Sequence, residues 1–167
     1  MEKIFLNKIK NFILKVLYCP RKIFFADGKF FFSARPTTTK NNMVAFRGND
    51  FLKIEIFKHR KKKNDLKEEA NILKYLTNSG NISQPKFIKE GHILSGHPYF
   101  ITERFFAKGH PSLPDILLSI LEQQKCGIFH RDIKFDNVIF DGTVVKLIDY
   151  DQAEYRDELK NLSPYDS

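Results

Sequence analysis

Five phenylalanines fall within the nine residues FFADGKFFF, from Phe24 to Phe32, and the run is cut by Asp27-Gly28. Aromatic runs on either side of Asp-Gly predict a β-hairpin, because Asp and Gly tolerate the left-handed backbone that a two-residue hairpin turn requires. Both Phe runs are expected in the core of a sheet. A second pair of strands is predicted in MVAFRGNDFLKIEIF. There Leu52, Ile54 and Ile56 alternate with Lys53, Glu55 and Phe57 beyond a break at Gly48-Asn49-Asp50. The two hairpins form a β-meander, with polar PTTTKNN as the loop between them.

The hydrophobic period then changes. Leu66, Ala70 and Leu73, followed by Tyr75 or Leu76, recur at helical spacing, and Asn78-Ser79-Gly80 supplies a stop. ISQPKFIKEGHILSGHPYFITERF gives further strands. PSLPDILLSILEQQKCG gives a second helix, with Pro114 in its first turn and Gly127 at its end. The order is sheet, helix, sheet, helix, hairpin, which predicts an α+β fold.

The N-terminal MEKIFLNKIKNFILKVLYC is neither a signal peptide nor a membrane span, because Lys8, Lys10 and Lys15 interrupt its apolar residues. At helical period Phe5, Ile9, Phe12, Ile13, Val16 and Leu17 share one face. Two readings stay open: a helix docked on its own domain, or a basic amphipathic helix lying on an anionic membrane surface. The 167 residues, 42% hydrophobic and 29% charged, suit one domain or two small lobes sharing a cleft. A net charge of +8 suits an anionic partner, whether phosphate, acidic lipid or nucleic acid. No nucleic-acid reader motif is present, so nucleic acid is not expected, and KHRKKK at 58–63 reads as a solvated face. Cys19 and Cys126 form no C-x-x-C pair, so neither a zinc site nor a disulfide framework is indicated.

Two acidic stretches carry the chemistry. IFHRDIKFDNVIF sets Asp132 and Asn137 five apart in a loop that enters a strand, and VVKLIDYD sets Asp149 at the end of another. Together they match H-R-D-x-x-x-x-N followed by a D-F-G-type Asp, so the chain resembles the protein-kinase-like superfamily. The resemblance implies an antiparallel N-lobe sheet with helix C and a much reduced helical C-lobe. The implied boundaries are a basic amphipathic helix at 1–20, an N-lobe-like unit at 21–105 and a truncated C-lobe at 106–167.

The same resemblance implies ATP and Mg2+, with a role for each matching residue. Asp132 orients the acceptor hydroxyl and takes its proton, Lys134 meets the γ-phosphate, and Asn137 and Asp149 hold the metal. Lys53 in FLKIEIF takes the strand position that holds the α- and β-phosphates, paired to Glu69 of EANILKYL, with Glu68 as the alternative. PYFITERFFAKG resembles the hinge between lobes. Thr102 then lies at the back of the nucleotide pocket, and Glu103 and Phe105 lend backbone groups to the adenine edge.

Three departures bear on function. SARPTTTKNN stands where the family has G-x-G-x-x-G, so either the hydroxyls of Thr37 to Thr39 and Lys40 substitute in meeting phosphate or nucleotide binds weakly. Asp149-Tyr150-Asp151 replaces D-F-G, which restricts the Gly-dependent flip of that segment. Only the 18 residues from Tyr150 to Ser167 follow Asp149, too few for a peptide-docking platform. The tail is expected to form one short helix from Tyr155 to Leu162, or a second copy or partner chain to complete the C-lobe.

LIDYDQA is similar to the I-D-F-D form in bacterial lipopolysaccharide-core sugar kinases, whereas HRDIK is closer to Ser/Thr protein kinases. The leading expectation is a phosphotransferase acting on a hydroxyl of a cell-envelope sugar or lipid-linked glycan, cytoplasmic and peripheral on the inner face of the membrane. A minimal Ser/Thr protein kinase and a catalytically weak nucleotide-binding pseudokinase stand as alternatives.

Overall fold

A computed structural model describes residues 23–33, 42–55 and 65–157. The expected N-terminal helix, Thr37 to Lys40, Ile56, Phe57, the basic run at 58–63 and the tail beyond residue 157 lie outside the described residues. Strands β1 (Ile23–Ala26), β2 (Lys29–Phe32), β3 (Asn42–Arg47), β4 (Asp50–Glu55), β5 (Phe87–His92) and β6 (Pro98–Glu103) form one antiparallel sheet in the order β1-β2-β3-β4-β6-β5. Helix α1 (Leu66–Asn78) lies between β4 and β5 in the chain, and α2 (Leu113–Lys125) follows β6. The short β7 (Ile128–Phe129), β8 (Val138–Phe140), β9 (Val145–Leu147) and β10 (Glu154–Tyr155) pair as β7 with β10 and β8 with β9. The fold is mixed α and β, as the sequence order predicts. Tyr155 is a strand residue paired with Ile128, not the start of a helix, because the chain returns along β7 at that point.

Local chemistry sets the element ends. Asp27 and Gly28 take φ of 51° and 70° and close the β1–β2 hairpin, as a two-residue turn demands. Asp65 caps α1 in a reciprocal box with Glu68: each accepts from the other's backbone N–H at 3.0 Å. Ser112 and Asp115 form the same box on α2, with Pro114 in its first turn. Gly127 ends the turn after α2 with φ 75°, and a Cβ there would lie 2.9 Å from the Arg156 carbonyl. A Cβ on Gly28, by contrast, meets open space. Gly28→Ala is therefore expected to cost about 1–2 kcal/mol through backbone strain alone. Gly127→Ala is expected to cost more, because a backbone carbonyl must also move. Parallel thermal melts measure the difference, and equal losses would remove the steric part of this account.

Alternation along the strands assigns faces. Ala26, Phe31, Ala45, Leu52, Ile54, Tyr99 and Ile101 make one core cluster. Phe25, Phe30 and Phe32 point away from it and are exposed, so only the alternate half of the Phe runs is buried. Adjacent strand residues face opposite ways, and through the register these three share the sheet face on which Phe100 packs against α1, at its β1–β2 end. The second cluster joins Leu66, Ala70, Leu73 and Leu76 of α1 to Phe100, Ile128, Val145, Leu147, Tyr150 and Ala153. Phe100 reaches it from the face of β6 opposite Tyr99 and Ile101. On α2 the buried residues are Ser119 and Gln123, while Leu113, Leu117, Leu118 and Leu121 are exposed. No described helix is long and apolar enough to cross a membrane.

Candidate active site

Strand register makes the first half of the site. Leu52 and Ile54 face the first core, so Lys53 between them must face the other side, where it pairs in register with Phe100 and looks toward α1. The buried stripe of α1 is Leu66, Glu69, Ala70, Leu73 and Leu76, so Glu69 lies on the core-facing side of its helix. The two charges meet there. Lys53 Nζ donates to both Glu69 carboxylate oxygens at 2.8 Å and to Asp149 Oδ1 at 2.7 Å. Glu68, the alternative partner, is occupied as the reciprocal cap of Asp65.

Burial alone would lower the Lys53 ammonium, but the carboxylates of Glu69 and Asp149 hold it above its ordinary value. Burial pushes the Glu69 carboxyl up against the opposing pull of Lys53. Both carboxylate oxygens accept from the ammonium, a contact that favours the ionised pair against that burial.

The second half is the loop from His130 to Asn137. Asn137 Nδ2 donates to both the backbone carbonyl and Oδ2 of Asp132 at 2.9 Å, and Lys134 Nζ donates to the same Oδ2 at 2.6 Å. These bonds fix the Asp132 side chain, and the hydrogen bond to Asp132 raises the Lys134 ammonium. Ile148 N–H donates to the Asn137 carbonyl at 3.0 Å, and His130 Nε2 bonds the Ile148 carbonyl at 2.9 Å. A carbonyl can only accept, which assigns the His130 proton to Nε2. Burial lowers the His130 imidazole, keeping it neutral. The two halves are thus tied together just before Asp149.

Two residues at this junction adopt left-handed backbone without being glycine: Arg131 at φ 65° and Asp149 at φ 67°. Such conformations cost of order 1–3 kcal/mol each and persist only where the surroundings over-determine them. Here the determinants are the hydrogen bonds just described, the ion pair of Arg131 with Glu154, and Tyr150 N–H donating to Glu69 Oε1 at 3.3 Å. Asp149 is therefore aimed at Lys53 by its own backbone.

Ligand atoms of Asp132, Asp149 and Asp151 all lie within 4.8 Å of one another. Three carboxylates so close repel unless positive charge sits among or beside them. The donors are hard oxygens, with the Asn137 amide bonded to one of them, and this set fits Mg2+ or Mn2+ and not a thiolate-seeking metal. Asp151 was not among the residues singled out from the sequence, because it stands where the resemblance expects glycine. The available signal was its spacing of two from Asp149.

Glu103 and Phe105 line a cavity near the end of β6. With Asn49, Arg104, Phe106, Lys108, Asp141 and Thr143 they border an open cavity of about 280 Å³ that neither Lys53 nor Asp149 lines. Thr102 is buried in β6. Arg104 is stacked between Phe46 and Phe106, at 4.2 and 4.4 Å from the ring centroids. At the rim, Asp141 Oδ1 accepts from the Thr143 and Val144 N–H groups at 2.9 Å, and these bonds lower its carboxyl. That stabilisation is present above the unfolded carboxylate range and is lost as pH falls through the lowered value. Asp141→Asn is expected to flatten the acid limb of the stability curve, and an unchanged limb in pH-dependent melts would contradict it.

No protein-family model matches the sequence, and no curated protein matches it. Solved structures similar to parts of this chain include WbdD with a kinase inhibitor, at TM-score 0.48 and 14% identity over 71% of this chain and 32% of that one. The bifunctional kinase-methyltransferase WbdD matches at 0.48 and 16% over 71% and 31%. Monomeric WbdD matches at 0.46 and 15% over 69% and 33%. This chain spans about a third of the length of those chains. Likeness of that degree decides nothing about the chemistry here, which rests on the chain's own residues.

Proposed function

We propose that the chain is a kinase-like phosphotransferase that uses ATP and a divalent cation. The observation that carries this reading is the convergence of Lys53, Glu69 and Asp149 in one ion-paired group, tied through Ile148 to a loop presenting Asp132 and Asn137. In this reading the sheet with α1 is the nucleotide-binding lobe, α1 serves as helix C, and the segment from α2 onward is the catalytic lobe.

Glu69 holds the Lys53 ammonium where it can meet phosphate oxygens. Asp149 and Asp151, with Asn137, are the metal-holding groups; the cation, when bound, neutralises charge on the phosphates. Asp132 orients the acceptor hydroxyl and accepts its proton. Lys134 is close enough to Asp132 to put a positive charge beside the transferred phosphoryl group. Positioning and charge neutralisation are most of what phosphoryl transfer requires of a protein.

The acceptor we propose is a hydroxyl of a cell-envelope sugar or lipid-linked glycan, supported by the I-D-x-D form of the metal segment at Ile148 to Asp151. A net charge of +8 suits work at an anionic surface on the cytoplasmic side of the membrane. Transfer of labelled phosphate from ATP into glycolipid extracts, with little into protein extracts, is the expected result. The reverse pattern would replace this acceptor with a protein, and binding without transfer to either would leave a pseudokinase.

A further inference from the structure

We infer that Gln123 on α2 and Tyr150 between the two metal-segment carboxylates are positioning residues that hold Asp149 and Asp151 in their working geometry. The inference rests on the reading of that segment as metal-holding. Asp149 carries its left-handed φ of 67° one residue before Tyr150, so the segment needs anchors that outweigh its strain. The deepest is a side chain. Tyr150 and Gln123 are each 1% exposed, and Gln123 Nε2 donates to the Tyr150 hydroxyl oxygen at 2.5 Å.

The amide's other N–H donates to the Ser83 carbonyl at 3.0 Å, a carbonyl that also accepts from Leu147 N–H at 2.8 Å. Both amide hydrogens are therefore used, while Gln123 Oε1 has no partner. Turning the amide over would set oxygen against the Ser83 carbonyl oxygen, so its orientation is fixed. A buried polar side chain on an otherwise leucine-rich helix is costly unless it serves a specific contact. Here that contact reaches across to the segment between Asp149 and Asp151. The ring of Tyr150 packs 4.7 Å from that of His130, whose Nε2 bonds the Ile148 carbonyl. Tyr150 is thus gripped at its ring, its hydroxyl and its backbone N–H.

If the grip sets the fraction of molecules with Asp149 and Asp151 in place, the apparent metal affinity scales with that fraction. Removing one net hydrogen bond then weakens it by about fivefold. The test measures Mn2+ binding to the full chain in the presence of a non-hydrolysable ATP analogue, alongside melting temperature. Tyr150→Phe and Gln123→Met are each expected to weaken Mn2+ binding several-fold, and the double variant no more than the worse single one. Ser119→Ala is the control. It deletes a buried α2 hydrogen bond to the Val145 carbonyl without touching the segment, so it is expected to lower the melting temperature while leaving Mn2+ affinity unchanged.

Equal Mn2+ affinity in wild type, Tyr150→Phe and Gln123→Met, with only the melting temperature lowered, would overturn the inference and leave the kinase reading intact. Losses in Mn2+ affinity that add in the double variant, or an equal loss in Ser119→Ala, would also overturn it. Absence of Mn2+ binding in the wild type would instead overturn the reading on which the inference stands.

Discussion

Glu69→Leu is expected to destabilise the protein by about 3 kcal/mol, the lower end of what removing one partner of a buried ion pair costs. The lower end applies because Lys53 keeps Asp149 at 2.7 Å after Glu69 is lost. The paired variant Lys53→Met/Glu69→Leu is expected to recover only part of that loss, since it removes the buried charge pair but takes the ammonium from Asp149 and the acceptor from Tyr150 N–H. Denaturant titrations of the singles and the double close the cycle. A double variant as unstable as the sum of the singles would mean that the two charges are not coupled.

The pH dependence has a defined sign. In Lys53→Met the opposing ammonium is gone and burial pushes the Glu69 carboxyl further above its ordinary 4.5. The folded state then binds more protons than the unfolded one, so stability is greatest below that unfolded value and falls as pH rises through the folded one. Lys53→Met is expected to be less stable at neutral than at mildly acid pH, relative to wild type.

Asp132→Asn is expected to reduce turnover by about 10²- to 10⁴-fold, the usual worth of a positioned general base, while nucleotide binding persists. The amide still accepts from Asn137 and keeps the loop shape, but it cannot take a proton. Asp149→Asn is expected to remove the metal-dependent part of nucleotide binding as well, because it takes a charge out of the carboxylate cluster and loosens Lys53. The separation between the variants is the informative result. Unchanged turnover in Asp132→Asn would refute its assignment as the base, whatever happened to binding.

Much of the architecture was legible locally. Asp27-Gly28, Pro114 in the first turn of α2 and the breaks at Gly80 and Gly127 are short-range chemistry, and each sits where the sequence places it. The choice between Glu68 and Glu69 was legible too: Asp65-x-x-Glu68 is a capping box, which leaves Glu69 for the buried stripe. Two neighbouring strand residues cannot both face one core, so the exposure of Phe25, Phe30 and Phe32 follows from period-two geometry that a list of aromatic runs overlooks.

What could not be read depends on residues distant in the chain. Lys53 and Asp149 are 96 residues apart, and the resemblance implied a shared site for them but not their direct ion pair; Gln123 and Tyr150 are 27 apart. Nothing in the sequence marked Gln123 as different from Gln124. Asp151 carried a spacing signal but no local partner. The edge contacts assigned to Glu103 and Phe105 are backbone contacts, which leave no side-chain signature.

In the proposed function, Lys53 and the carboxylates around Asp149 form one metal-nucleotide site. Calorimetric titration of the full chain with ATP, with and without Mg2+, tests it most directly. The predicted result is binding that strengthens with Mg2+ in wild type and in Asp132→Asn, and loses that strengthening in Asp149→Asn. ATP binding indifferent to Mg2+, or a Mg2+ effect that survives in Asp149→Asn, would contradict it.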